Sequence, residues 1–361
     1  MITLGAQDSL PYLSYQNSDG TWTWYGQLPD PNGIKFSALA TAPGNPRCCF
    51  SSDWFLQVVT LGATDGLPYV IYQDFNGAWH WGGQLPDPGV RFTAITAATN
   101  AQPYVQVTGI GATDQAPYLI WQDAGGTWHW SGKLPDPPEI PFASVASGTA
   151  ESSTFLDDPP PYLQVVGLGA QDHLPYLVWQ NDNGNWYWGG QVSGVPLWAI
   201  AGDSTEQELL GLNDQELSVW TLVGLGESDS LPYAIYITPD GPVGPRGGSD
   251  YPPDPGIRLK SIAIGSGNDR QLQVIGIGAR DSLPYLLWQE RSGTWHWGGE
   301  LPSSSGGYQD KFKALATGTG DHNNLQVILL GANDGLPYLI FQDNGTGHWG
   351  FHGYILAGGA T

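Results

Sequence analysis

The sequence is short of cysteine, of positive charge and of long apolar runs. It holds two cysteines in 361 residues, and they are neighbours, Cys48 and Cys49. Adjacent thiols cannot form a disulfide framework and lack metal-ligand spacing. They read as two reduced thiols in a loop, the alternative being a strained bridge between neighbours. Only 12 Lys plus Arg face 34 Asp plus Glu, for a net charge of −22. A phosphate backbone or an anionic membrane repels such a chain, which argues against nucleic-acid binding. No apolar run reaches the roughly 18 residues of a membrane span, so no membrane insertion is expected. The N-terminus, MITLGAQDSLPY, has neither a basic stretch nor an apolar core. It does not read as a signal peptide, and the expected location is cytoplasmic, or outside by a non-classical route.

What the chain has in excess is glycine (51), proline (29) and tryptophan (17). Charged residues are only 13% of the chain, and 12% are aromatic. Low charge with many aromatics excludes a disordered chain. Abundant turn formers between aromatic and β-branched runs predict many short strands.

The chain repeats. A turn with an aspartate followed by Leu-Pro-Tyr stands at LGAQDSLPYLSYQ (from residue 4) and LGATDGLPYVIYQ (from 61), with a close variant at IGATDQAPYLIWQ (from 110). It returns at residues 168, 225, 277 and 330. The marker aspartates are Asp8, Asp65, Asp114, Asp172, Asp229, Asp281 and Asp334. Each unit holds four short apolar segments, as in LKSIAIG, LQVIGIGA, LPYLLWQ and GTWHWGGELP between residues 259 and 302. Turn signals separate them, so each unit predicts a four-stranded antiparallel meander. Both faces of these strands are apolar, and such a sheet must be covered on both sides. Stacking seven of them around an axis does this, and the expected fold is one all-β domain over residues 1–361, a seven-bladed β-propeller. The chain starts on a second-type strand and ends in YILAGGAT (354–361), which looks like a first-type strand. The last strand is therefore expected to complete the first blade and close the ring. The long insert DSTEQELLGLNDQEL in the fifth repeat is a candidate for a helical turn.

The candidate site lies in the fourth segment. Its Trp pairs are Trp22/Trp24, Trp79/Trp81, Trp128/Trp130, Trp186/Trp188 and Trp295/Trp297. The fifth repeat lacks the pair; the seventh keeps Trp349 and has Gly347 at the expected place of the first indole. Residues two apart on a strand share a face. One tryptophan per repeat would satisfy packing between blades, whereas two on an outer strand suit a flat apolar surface with an N–H donor for a sugar ring. Packing and ligand contact both remain open for these indoles. Between them stand His80, His129, His296 and His348, with Thr23 and Tyr187 in other repeats. That swap rules out a shared catalytic or metal role and fits a polar rim. The marker aspartates read as turn residues accepting backbone N–H groups. One carboxylate per turn does not make a Ca²⁺ site, and no metal or cofactor is expected. QNDNGNW and QNSDGTW resemble a sialidase Asp-box, but the spacing is one residue short and no arginine cluster accompanies them. No nucleophile elbow, metalloprotease helix or phosphate loop is present. The expectation is a binding protein and not an enzyme, since catalysis needs one asymmetric site and repetition suits multivalency. A protein-interaction propeller is the alternative, and a glycosidase or lyase a more distant one.

The unit L-x-V-x-x-x-G-x-x-D, then a Leu-Tyr-rich strand ending in Trp-Gln, then a Gly-Trp outer strand, resembles the blade of the Photorhabdus-type seven-bladed β-propeller lectins. Tectonin-type and other fungal propeller lectins share its flavour. The resemblance covers the whole chain through short motifs. It implies a lectin that binds fucose, O-methylated sugars or similar neutral glycans in shallow pockets between blades. It also implies homo-oligomers and Trp pairs that line the pockets. The fifth repeat departs from the pattern and the seventh weakens it, which leaves about five sites.

Overall fold

The computed structural model describes residues 1–355 apart from 6, 18–20, 31, 45–54, 88, 100–103, 124, 137, 151–161, 182, 208–216, 239–240, 244–251, 254–255, 268–271, 291, 304–309, 320–324 and 344–345. The described residues form seven antiparallel sheets, the blades of an all-β propeller. Blades 1 to 7 span residues 2–27, 36–84, 92–133, 142–191, 197–243, 259–300 and 312–354. Six sheets have four strands in sequence order and the first has three. Blade 6 is typical, with strands Leu259–Ser266, Leu272–Gly278, Pro284–Gln289 and Trp295–Glu300.

Ile2–Leu4 pairs with Pro11–Gln16 as a second-type strand, with Leu4 opposite Pro11. The proposed closing strand lies almost wholly at 356–361, outside the described residues; Tyr354 itself ends the fourth strand of blade 7, opposite Tyr338. Cys48 and Cys49 also lie outside the described residues. The helical turn expected in the fifth repeat is corrected in part. Residues 203–207 continue the long strand Leu197–Gln207, which pairs with Leu217–Gly226, while 208–216 lie outside the described residues. Residues 203–207 are held extended by the ladder that ends at Gln207 opposite Leu217.

By contacts the chain divides into two units. The first holds blades 2 to 4 with most of blade 1, and the second holds blades 5 to 7 with Tyr15–Trp24. Within each unit the first strands of successive blades run beside one another. Thr96 Oγ1 and Ser147 Oγ are 2.8 Å apart across blades 3 and 4, and Ser266 Oγ donates to Asp203 Oδ2 at 2.9 Å across blades 6 and 5. Each first strand begins with a large apolar residue: Phe36, Phe92, Phe142, Leu197, Leu259 and Phe312 are all buried. The Phe142 ring lies over Gly167 of the next strand, where a Cβ would come within 2.5 Å of it. Glycine is needed there because the backbone and the ring share that space.

The marker turn is a latch. Asp114 Oδ1 accepts the N–H of Ala116 at 3.2 Å, and its Oδ2 accepts the Tyr118 hydroxyl at 2.7 Å. The same two bonds recur at all seven aspartates, with Tyr12, Tyr69, Tyr176, Tyr233, Tyr285 and Tyr338 as the other donors. The aspartate thus ties its turn to the third strand, as the structural reading of the sequence expects, and adds a phenol partner. Burial and the bond to Asp65 or Asp114 push Tyr69 and Tyr118 up to about 12. In Tyr176 and Tyr338 the bond to the aspartate acts first and burial second, again raising the phenol to about 12. At Asp114 and Asp334 burial pushes the carboxyl up, but the bonds from tyrosine and backbone outweigh it and hold it below its ordinary 3.8.

A raised phenol contributes stability that is complete below its ordinary value and lost as pH rises through the raised one. The thermal midpoint should therefore fall between about pH 10 and 12. The lowered carboxyls act with the opposite sign: their contribution is complete above 3.8 and lost as pH falls through the lowered value. Tyr118→Phe should cost about 1–2 kcal/mol by urea denaturation at neutral pH and reduce the alkaline decline. A variant with an unchanged urea midpoint and alkaline profile would show that the latch carries no stability. Gly167→Ala, which overpacks the Phe142 ring, should cost about 1–3 kcal/mol by the same measurement.

Candidate ligand-binding grooves

In blades 1 to 4 and 6 the Trp-x-Trp strand is an edge strand of its sheet, and its two indoles have different surroundings. In blade 3 the first, Trp128, stands opposite Gln122, and the second, Trp130, opposite Ile120. Trp130 stacks on Tyr118 at 5.5 Å between centroids and lies 6.3 Å from Phe92. Trp81 on Tyr69, Trp188 on Tyr176 and Trp297 on Tyr285 repeat the stack at 5.6–5.8 Å. The second indole therefore extends the Asp–Tyr latch by one more ring, a packing role. Trp24 occupies the same half-buried position in blade 1.

The first indoles face the preceding blade. Trp79 packs on Leu13 and Leu28, and Trp186 packs with Leu119 and Leu134. Trp79 is 9% exposed and offers little surface, whereas Trp22, Trp128, Trp186 and Trp349 are half-buried. Between blades 2 and 3 a cavity of about 330 Å³ opens, lined by Val70, Tyr72 and Trp81 on one side and Trp128 on the other, with Gln57 and Gln122. No lining side chain of this groove carries a charge. Its volume lies at the low end for small-molecule sites, about 300–1,000 Å³.

A glutamine relay underlies the groove. Gln57 of the second strand of blade 2 donates to Gln122 Oε1 of blade 3 at 2.6 Å, and Gln122 donates to the Gly126 carbonyl at 3.1 Å. Gln106 reaches Gln180 Oε1 in the same way at 3.1 Å, Gln273 reaches Gln342 at 3.0 Å and Gln326 reaches Gln16 at 2.6 Å. The relay uses the donor side of the first glutamine. The acceptors Gln57 Oε1, Gln106 Oε1 and Gln273 Oε1 are buried with no protein partner, and so are the donors Trp22 Nε1 and Trp186 Nε1. Buried polar atoms in native structures are nearly always paired, so these point to a ligand or to water.

In blades 2, 3, 4 and 6 the residues between the indoles stack on third-strand aromatics of their own blade. His80 stacks on Tyr72 at 5.3 Å, His129 on Trp121 at 4.5 Å, Tyr187 on Trp179 at 4.9 Å and His296 on Trp288 at 4.2 Å. His80 and His129 Nε2 lie 2.7 Å from Asp74 and Asp123, and His296 Nε2 lies 2.6 Å from Glu290. The histidine bond is the chief reason that the Asp74 and Asp123 carboxyls sit below the ordinary aspartate value. These residues brace the aromatic wall of a groove from behind. Among the described residues no cluster of three His, Cys, Asp or Glu side chains is placed to hold a metal ion.

Blade 7 requires a correction. Gln342 pairs with Trp349 and Ile340 with Phe351, as Gln289 pairs with Trp295 and Leu287 with Trp297. Trp349 is therefore the first aromatic of the pair and Phe351 the second, stacked on Tyr338 at 6.0 Å. Gly347 and His348 belong to the preceding turn, which is one residue longer than in blade 3, so counting from the glycine displaces the motif. Blade 5 carries no Trp pair; Gly241–Val243 stands in that place.

The sequence reading singled out the tryptophans and missed the glutamines and the third-strand aromatics. Their signal was present, since LQV and the endings YQ and WQ recur from repeat to repeat.

No protein-family model and no curated protein matches the chain. Solved structures share the fold. A triple-arginine mutant of AofleA from Arthrobotrys oligospora is 14% identical with a TM-score of 0.55, over 89% of this chain and 87% of that one. The fucose-specific lectin from Aleuria aurantia is 11% identical with a TM-score of 0.52, over 90% of this chain and 100% of the other. An oligogalacturonate lyase from Vibrio parahaemolyticus is 10% identical with a TM-score of 0.50, over 95% and 84%. At these identities the likeness is one of fold. The chain is thus a seven-bladed propeller similar in structure to fungal lectins, without a specific tie to the Photorhabdus type.

The two indoles of a pair should separate by assay. Trp130→Ala should cost about 3 kcal/mol or more by urea denaturation, because its ring is part of the core stack. Trp128→Ala should cost less stability. Equal losses would show that the two indoles do the same work.

Proposed function

We propose that the protein is a multivalent lectin, binding neutral sugars in inter-blade grooves without metal and without turnover. One observation carries this reading. Between blades 3 and 4, Gln106 Oε1 and Trp186 Nε1 are a buried acceptor and a buried donor, both without protein partners. They flank the relay from Gln106 to Gln180, and Gln180 stands opposite Trp186. A hydroxyl is the small neutral group that donates and accepts at a single atom, and a sugar ring carries several beside apolar C–H faces. The aromatic walls suit those faces.

The uncharged lining of the second-to-third groove and the net charge of −22 disfavour sialylated or sulfated glycans. Val70 and Trp128 beside the glutamines favour a sugar with a methyl group, as in fucose or an O-methylated sugar. The fold shared with a fucose-specific lectin fits that preference. The described residues that line the groove include no carboxylate to serve as a general acid or base, which supports binding over glycosidic cleavage.

A single groove gives few contacts, and a Kd of about 0.1–1 mM per site is expected. Several grooves on one chain raise avidity by about 10² to 10⁴ on a glycan-coated surface. A glycan array run with and without EDTA tests the proposal. The expected result is a coherent set of neutral fucosylated or methylated glycans, unchanged by EDTA. Gln106→Ala and Trp186→Ala should each weaken binding about tenfold at their groove. An array with no bound glycan would overturn the reading and direct the search to a protein partner.

A further inference from the structure

Blade 5 has lost the Trp-x-Trp motif, and its neighbour shows what replaces it. In blades 2, 3, 4 and 6 the third-strand aromatics Tyr72, Trp121, Trp179 and Trp288 are held on their own blade by a stacked His or Tyr. Blade 5 has Tyr236 at this position, and its register partner is Val243. Valine is not aromatic, so the stack that His80 makes on Tyr72 has no counterpart at this register position. Tyr236 is 6% exposed, and its hydroxyl oxygen accepts from Gln289 Nε2 at 2.5 Å and from Trp295 Nε1 at 2.8 Å. Both donors belong to blade 6. They are the counterparts of Gln122 and Trp128 at the open groove, since Gln289 pairs with Trp295 as Gln122 pairs with Trp128.

The other half of this groove has changed to match. Thr221 pairs with Tyr236 where Gln57 pairs with Tyr72, so a threonine stands at the position of the relay glutamine. Gln289 instead donates to the tyrosine and to the Gly293 carbonyl, at 2.8 Å. The indole N–H of Trp295 has a partner, whereas those of Trp22 and Trp186 have none within the protein. Trp295 is 7% exposed and packs in the cluster with Tyr236 and Ala234.

We infer that Tyr236 is a built-in occupant of the groove between blades 5 and 6. Its phenol ring and hydroxyl stand where a sugar ring and one sugar hydroxyl sit in the open grooves. That groove is closed in the native chain, yet the blade 6 half of the site remains intact behind the plug. The inference rests on the carbohydrate reading for the identity of the displaced ligand. It also specifies a contact: one ring-borne hydroxyl accepts from an indole N–H and from a glutamine amide. An acceptor of that kind is equally available on a phenol and on a neutral sugar.

The test is to remove the ring in the full-length protein, as Tyr236→Ala, with Tyr236→Leu as a milder second variant. Two probes are titrated by calorimetry, with tryptophan emission followed in parallel. The first is p-cresol, which is the deleted side chain and reads the cavity independently of any sugar. The second is methyl α-L-fucopyranoside, with the methyl glycoside that scores best on the array as a second ligand. Folded Tyr236→Ala, or the leucine variant if alanine does not fold, should bind one equivalent of p-cresol that the wild type does not. It should also bind one further equivalent of glycoside. No p-cresol binding to the folded variants overturns the plug. Binding of p-cresol with an unchanged glycoside count, in a protein whose wild type binds glycoside, overturns the claim that the plug mimics a sugar and leaves the lectin reading intact. If wild type and variants alike bind no glycoside, the lectin reading and the sugar part of this inference fall together.

Discussion

A sheet that is apolar on both faces cannot stand in water, and everything else in this molecule follows from that constraint. Every central strand buries side chains to both sides, as in Leu272–Gly278, where all seven residues are buried. Burying such area contributes about 25 cal/mol for each Å² removed from water, and a lone blade would forgo half of it. Each blade therefore needs a neighbour on either side. The devices that repeat from blade to blade are the ones that keep blades in shape and in contact. The Asp–Tyr latch fixes the turn before the third strand in all seven, a phenylalanine from the first strand fills the space over a glycine in blades 3 and 4, and the second indole lies on the latch tyrosine in blades 2, 3, 4 and 6.

The constraint weakens toward the rim, where fourth strands sit at sheet edges. Here the packing no longer uses every polar atom. A glutamine spends its amide hydrogens on the next blade and is left with a buried oxygen. An indole buries its ring and is left with an N–H. Grooves of this kind arise because the repeat is built to pack, and packing leaves these polar atoms over. The two indoles of a pair show the boundary: two residues apart on one face, one completes an aromatic stack and the other borders a groove.

Repetition makes the grooves similar, and divergence makes them unequal. Blade 5 shows how little is needed. Loss of the outer-strand aromatics removes the brace behind Tyr236, and threonine replaces a relay glutamine. The same position then changes from the wall of a groove to its content. The change is local, because the latch of blade 5, Asp229 with Tyr233, is kept.

Much of this was legible in the sequence. Seven Asp-Leu-Pro-Tyr-like markers gave the blade count, and four apolar segments between turn signals gave the strands, because local turn chemistry and alternation are properties of neighbouring residues. The tryptophan motif marked the outer strand for the same reason. Register in blade 7 was not legible: one extra turn residue moves Trp349 into the first position, and only the pairing with Gln342 reveals it. Nor could the sequence say which indole of a pair meets the groove, or that Gln57 reaches Gln122 and Tyr236 reaches Trp295. Those partners lie 59 to 65 residues apart. Sequence by itself determined the blade, which local spacing specifies. The grooves were decided by tertiary structure, because each is made by two blades and no single repeat contains both of its walls.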